Sequence, residues 1–111
     1  MEMSDKPHLL FVCTANQQRS PTAEDLFKDD ERYEVESCGT HAMSGTKCDA
    51  SLMEWADVVI CMEYRHKQDL LRWYPDLENT EFVVLSIPDR FFRGDPELVR
   101  LLRERLADWL E

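Results

Sequence analysis

What this chain lacks narrows its role first. No stretch approaches the roughly 20 apolar residues that a membrane-spanning helix needs. The longest apolar run near its start, Leu9–Val12, is too short for the core of a secretory signal. Positive charge is scarce: 13 Lys and Arg stand against 23 Asp and Glu, a formal net charge of −10, and the cations form no cluster. Nucleic acid and anionic membrane are disfavoured as partners on that ground. An anion that binds such a chain must be caught by local geometry, since the long-range field repels it. The four cysteines, at 13, 38, 48 and 61, follow no zinc-ligand spacing. With no mark of secretion, they are expected to be reduced thiols. No internal repeat, low-complexity tract or interdomain linker interrupts the sequence. The expectation is one cytoplasmic domain over residues 1–111, with Met1–Asp5 as a loose tail.

What is present is an alternation of two patterns. Apolar or β-branched runs at His8–Cys13, Val58–Met62 and Phe82–Ile87 read as strands buried on both faces, and Tyr33–Ser37 as a half-exposed one. Between them lie helical stretches. One starts at Ser20-Pro21-Thr22-Ala23-Glu24, where Ser20 is placed to cap, and ends in the acidic run Asp29–Glu31. Asp49 caps a short second helix bearing Leu52, Trp55 and Ala56, and a third covers Glu63–Tyr74 before Pro75. Asp95-Pro96-Glu97 opens a last helix with Leu98, Leu102, Leu106 and Trp109 on one face. Gly39 is expected to end the second strand, and His41–Lys47 to form a polar loop. Strands alternating with amphipathic helices predict an α/β fold of three layers, α/β/α, around a four-stranded parallel sheet.

The chemistry concentrates in Cys13-Thr14-Ala15-Asn16-Gln17-Gln18-Arg19-Ser20-Pro21, between the first strand and the first helix. In parallel sheets, ligands bind beyond the carboxyl ends of the strands, which is where this segment falls. A strand places a thiol on the floor of a loop, the loop amides turn inward, and the following helix aims its positive end at the same point. Arg19 can grip two oxygens of an anion with its planar fork. Cys13, ringed by donors, is expected to react as a thiolate nucleophile. Cys61, inside an apolar strand, reads as core filler, Cys38 as structural and Cys48 as an exposed bystander. His41 and His66 have no partner in sequence and are expected at the surface. The acidic runs Asp29–Glu31 and Asp76–Glu78 read as solvated faces.

These residues resemble the low-molecular-weight protein tyrosine phosphatases. That family carries Cys-x5-Arg-Ser-Pro after its first strand, matched here by Cys13, Arg19, Ser20 and Pro21, with Asn16 at the loop asparagine. Ser37-Cys38-Gly39-Thr40, Val59-Ile60-Cys61-Met62-Glu63 and Pro88-Asp89-Arg90-Phe91-Phe92-Arg93-Gly94-Asp95 resemble later segments of the family, the last being its acid loop. The resemblance implies a phosphotyrosine phosphatase I-like fold and a phosphomonoester hydrolase that needs neither metal nor cofactor. Departures are Ala15 for a common loop glycine, Gln18 for a second loop cysteine, Arg90 for a proline, and Phe91 and Phe92 for two tyrosines. The chain is also shorter, mainly between the second and third strands.

The resemblance implies attack by Cys13 at phosphorus and a phosphocysteine intermediate. Asp89 is expected to protonate the leaving oxygen and later to activate water. Asp95 competes for that role, but Gly-Asp-Pro-Glu reads as an ordinary helix cap. Arg19 and the amides of Thr14, Ala15, Asn16, Gln17 and Gln18 would hold the phosphoryl oxygens. Ser20 would donate to the Cys13 sulfur, and Asn16 would prop the loop in a left-handed backbone conformation. Phe91 and Phe92 would wall in a substrate ring. The expected partners are a phosphotyrosine protein or small aryl phosphate as substrate and inorganic phosphate as product. Two alternatives remain: a thiol-dependent arsenate reductase, disfavoured because no cysteine follows Cys61, and a non-catalytic phosphate- or phosphoprotein-binding module.

Overall fold

A computed structural model describes residues 6–109, so the expected tail at Met1–Asp5 lies outside the described residues. Strand β1 (His8–Cys13) is followed by α1 (Arg19–Phe27), β2 (Glu34–Gly39), α2 (Ala50–Trp55), β3 (Val58–Cys61) and α3 (Tyr64–Trp73). A 3-10 turn (Pro75–Asn79), β4 (Glu81–Val84) and α4 (Pro96–Leu106) complete the order. The sheet is parallel throughout, in the order β2-β1-β3-β4.

The period of two along β1 and β3 divides the core between the two faces. Leu9, Phe11, Ile60, Met62 and Val83 face Ala23 of α1 and Leu98, Leu102 and Leu106 of α4. Leu10, Val12, Val59 and Cys61 face Met53 of α2, Leu70 of α3 and Leu77. This is the expected three-layer arrangement. Cys61 is fully buried there, and burial pushes its thiol up to about 12, as befits core filler.

Several boundaries differ from the sequence reading, three of them for a clear local reason, and Trp109 lies beyond the end of α4 and is exposed. β2 runs through Gly39 instead of stopping before it, because the sheet end presses on the Cys13 loop. A Cβ at Gly39 would lie 2.5 Å from the Thr14 carbonyl oxygen, so only glycine fits. β4 stops at Val84, since Ser86 turns left-handed at φ 57°; Leu85 and Ile87 still donate to the carbonyls of Cys61 and Met62. Ser20 lies inside α1, not at its cap. Asp49 and Asp95 do cap, accepting from the amides of Leu52 and Glu97.

The expectation of reduced thiols fails at one pair. Cys38 and Cys48 form a disulfide, with Cα atoms 5.0 Å apart across a sequence separation of 10. Spacing alone hides this pair; the register reveals it. Gly39 bridges to Lys47 in parallel fashion, folding the polar loop back so that the flanking cysteines meet. Cys48 is accordingly buried, not an exposed bystander. Closing a loop of this length restricts the unfolded chain and contributes about 2–4 kcal/mol. Urea unfolding with and without a dithiol reductant should therefore show a lower midpoint for the reduced protein, with Cys38→Ala/Cys48→Ala matching it.

Candidate functional site

β1 ends at Cys13 in the middle of the sheet, and its side chain is buried at the floor of a turn. Two donors reach its sulfur. The Asn16 amide points at Sγ from 3.3 Å, and the Ser20 hydroxyl lies 3.0 Å away. The turn closes on Asn16, which adopts φ 57°. Among the described non-glycine residues only Asn16 and Ser86 have positive φ, so Ala15 carries its methyl without backbone strain.

Every polar atom of the Asn16 amide side chain is used. Its Nδ2 donates to Ser20 Oγ at 3.0 Å and to Ser37 Oγ at 2.9 Å, and its Oδ1 accepts from the Thr46 amide at 2.7 Å. The Ser37 hydroxyl in turn donates a hydrogen bond to Glu24 Oε1 at 2.6 Å. Ser20 accepts from Asn16, so its hydroxyl proton is left for Cys13 or, at 3.4 Å, the Cys38 carbonyl; the shorter contact is to sulfur. The Asn16 side chain is thus wholly engaged within the loop and its neighbours.

Arg19 opens α1 and is 1 % exposed, so its charge must be met inside the protein. One nitrogen donates to Glu63 Oε2 and, at 2.7 Å, to the Ile87 carbonyl; the other lies 3.7 Å from Asp89 Oδ2. Burial pushes the Glu63 carboxyl up, but hydrogen bonds and charges from Arg19 and Arg65 outweigh it and hold the group below its ordinary range. Asp89 is more than half exposed and approaches the Arg19 guanidinium from the solvent side. Asp95 is occupied as the α4 cap.

The remaining candidates separate. Thr14 is half-buried beside His66; Gln17 is exposed and donates to Ser44 Oγ at 2.9 Å; Gln18 accepts from the Arg93 amide at 2.6 Å. That last bond, with Gly94 N–H donating to Thr22 Oγ1 at 3.0 Å, ties the Asp89 segment to α1. Phe91 is buried under α4, whereas Phe92 is 76 % exposed, so the expected pair of walls is at most one. A groove of about 610 Å³ runs along the outer flank of the loop past Asn16, Glu24, Ser37 and Thr46, but does not reach Cys13.

His66, expected at the surface, is 1 % exposed. The Glu63 amide donates to its Nδ1 at 3.0 Å, which leaves the ring proton on Nε2, donated to Thr14 Oγ1 at 2.9 Å. Sequence reasoning missed Glu63 and His66. Their signal was positional: they follow directly on the apolar run of β3, at the same sheet edge as Cys13. Burial, then the Arg19 charge, pushes the imidazole down to about 4 from 6.5. A depressed histidine favours the folded state above its unfolded pKa, and that contribution is lost as pH falls from about 6.5 toward 4. NMR titration should find His66 neutral at pH 6, and denaturation at pH 5 should show lower stability than at pH 7. An imidazolium at pH 6 would contradict the Nδ1 acceptor role.

Residues 8–54 match the model of the low molecular weight phosphotyrosine protein phosphatase family. No curated protein matches in sequence. The fold is similar to the tyrosine phosphatase Wzb from Escherichia coli K30 in complex with phosphate, at TM-score 0.77 and 22% identity, covering 94% of this chain and 96% of that one. It is similar to the YwlE arginine phosphatase from Geobacillus stearothermophilus, at TM-score 0.73 and 24% identity over 94% and 92%. It also matches a YwlE arginine phosphatase with a cysteine-to-serine change and a phosphorylated active-site serine, at TM-score 0.73 and 27% identity over 93% and 95%.

Proposed function

We propose that this chain, which matches the low molecular weight phosphotyrosine protein phosphatase family over residues 8–54 and has a similar fold, hydrolyses phosphomonoesters through a phosphocysteine, with phosphotyrosine as the preferred substrate. One observation carries the reading: the Cys13 sulfur sits on the floor of the turn with the Asn16 amide and the Ser20 hydroxyl both directed at it. A core cysteine has no need of either donor. The phosphorylated serine of the YwlE variant supports a covalent phosphoenzyme on this fold.

Cys13 attacks phosphorus in line, and the ester oxygen departs with a proton from Asp89. Arg19 leaves the Glu63 carboxylate to share its fork with the phosphoryl oxygens, whose charge replaces that of the carboxylate. Asp89 then takes a proton from water as that water cleaves the S–P bond. The Ser20 hydroxyl stabilises the thiolate as it leaves. Phe92 offers an apolar flank for a phenyl ring, which favours phosphotyrosine; Phe91 anchors its segment in the core.

Hydrolysis of a small aryl phosphate without added reductant should be lost in Cys13→Ser. Asp89→Asn should slow poor leaving groups by about 10²–10⁴-fold and good ones far less, while Asp95→Asn should not separate the two classes. The reverse pattern would move the acid to Asp95. Faster turnover of phosphoarginine than of phosphotyrosine peptides would overturn the substrate choice and leave the phosphocysteine standing. Tight phosphate binding with no turnover would instead point to the binding module.

A further inference from the structure

The disulfide has no part in the chemistry above, yet it closes a loop that touches almost every residue of the Cys13 turn. From the segment between Cys38 and Cys48, the amides of Thr40 and His41 donate to the carbonyls of Cys13 at 2.9 Å and Thr14 at 2.8 Å. The Thr46 amide holds Asn16 Oδ1, and Ser44 accepts from Gln17. Gly45 lies so close that an added Cβ would fall 2.6 Å from the Asn16 carbonyl oxygen. The base of the loop is held by the Gly39 amide on the Thr46 carbonyl, the Cys48 amide on the Gly39 carbonyl, and the covalent bond beside them. The Cys38 carbonyl itself lies 3.4 Å from Ser20 Oγ.

We propose that the Cys38–Cys48 disulfide is a positioning device for the anion loop, which makes phosphate affinity depend on the redox state of this pair. The inference rests on the phosphatase reading for its ligand but on contacts alone for its mechanics. Asn16 holds a left-handed backbone, a conformation that persists only where its surroundings over-determine it. Gly45 and Thr46 are part of those surroundings, and the disulfide limits how far they can move. A dithiol reductant opens the bond in two exchanges. Its thiolate attacks one sulfur, forming a mixed disulfide and freeing one cysteine; its second thiol then resolves that bond. Cys38 and Cys48 leave as thiols, and the reductant leaves as a cyclic disulfide. The loop regains conformational freedom, and ordering it again must come from the energy of phosphate binding.

The test compares oxidised protein, protein treated with dithiothreitol, and Cys38→Ala/Cys48→Ala, each at full length. Backbone amide exchange of residues 14–18 and Thr46 is expected to speed up in the second and third samples, with the α4 amides unchanged. Calorimetric titration with inorganic phosphate is expected to give a Kd raised about tenfold in both, equivalent to about 1.4 kcal/mol. The reductant should leave the Kd of the double variant unchanged, which separates this effect from any protection of Cys13. Equal exchange in oxidised and reduced protein overturns the proposal even if the variant does not fold. Equal phosphate affinity in those two samples also overturns it. Failure of all samples to bind phosphate would instead refute the phosphatase reading, and the exchange rates would still decide the role of the disulfide.

Discussion

One backbone torsion organises this molecule. Asn16 turns left-handed so that its own amide can face the Cys13 sulfur, and its side chain is tied to Ser20, Ser37 and Thr46. Those three residues come from α1, from β2 and from the loop that follows β2. The parallel sheet exists, in functional terms, to bring those three segments to one edge. The amide side chain thus links all three segments to the turn.

Electrostatics at the same edge follows from burial. An arginine that is almost wholly enclosed cannot stay unpaired, so Glu63 and the Ile87 carbonyl meet it. Asp89 approaches the same guanidinium from the solvent side. Loss of water, and after it the charge of that cation, pushes His66 down toward its neutral form, whose ring proton lies on the nitrogen that serves Thr14. The result is a buried cation paired with carboxylates, not an open positive patch.

The sequence was legible where local pattern and global fold agree. Apolar runs of period two and capped helices yield the element order, and the close spacing of Cys13 and Arg19 marks the loop. What it concealed depends on register. Nothing local distinguishes Cys48 from a surface thiol until the Gly39–Lys47 bridge is known. The place of His66 just after the apolar run of β3 was a weak signal, and its partner Thr14 lies 52 residues away in sequence. Ser86 breaks β4 by a torsion that no composition of β-branched neighbours forecasts. Phe91 and Phe92 are chemically identical, and only their opposite directions along an irregular segment separate core from surface.

The enclosure of Arg19 has a consequence for how the protein meets salt. Mobile ions screen charges that water reaches, and they do so over about 8 Å at physiological ionic strength. The surplus of acidic residues is largely of that kind, while Arg19, 1 % exposed, is shielded from it. Added salt therefore screens the exposed acidic surface more than it screens the contact between Arg19 and Glu63.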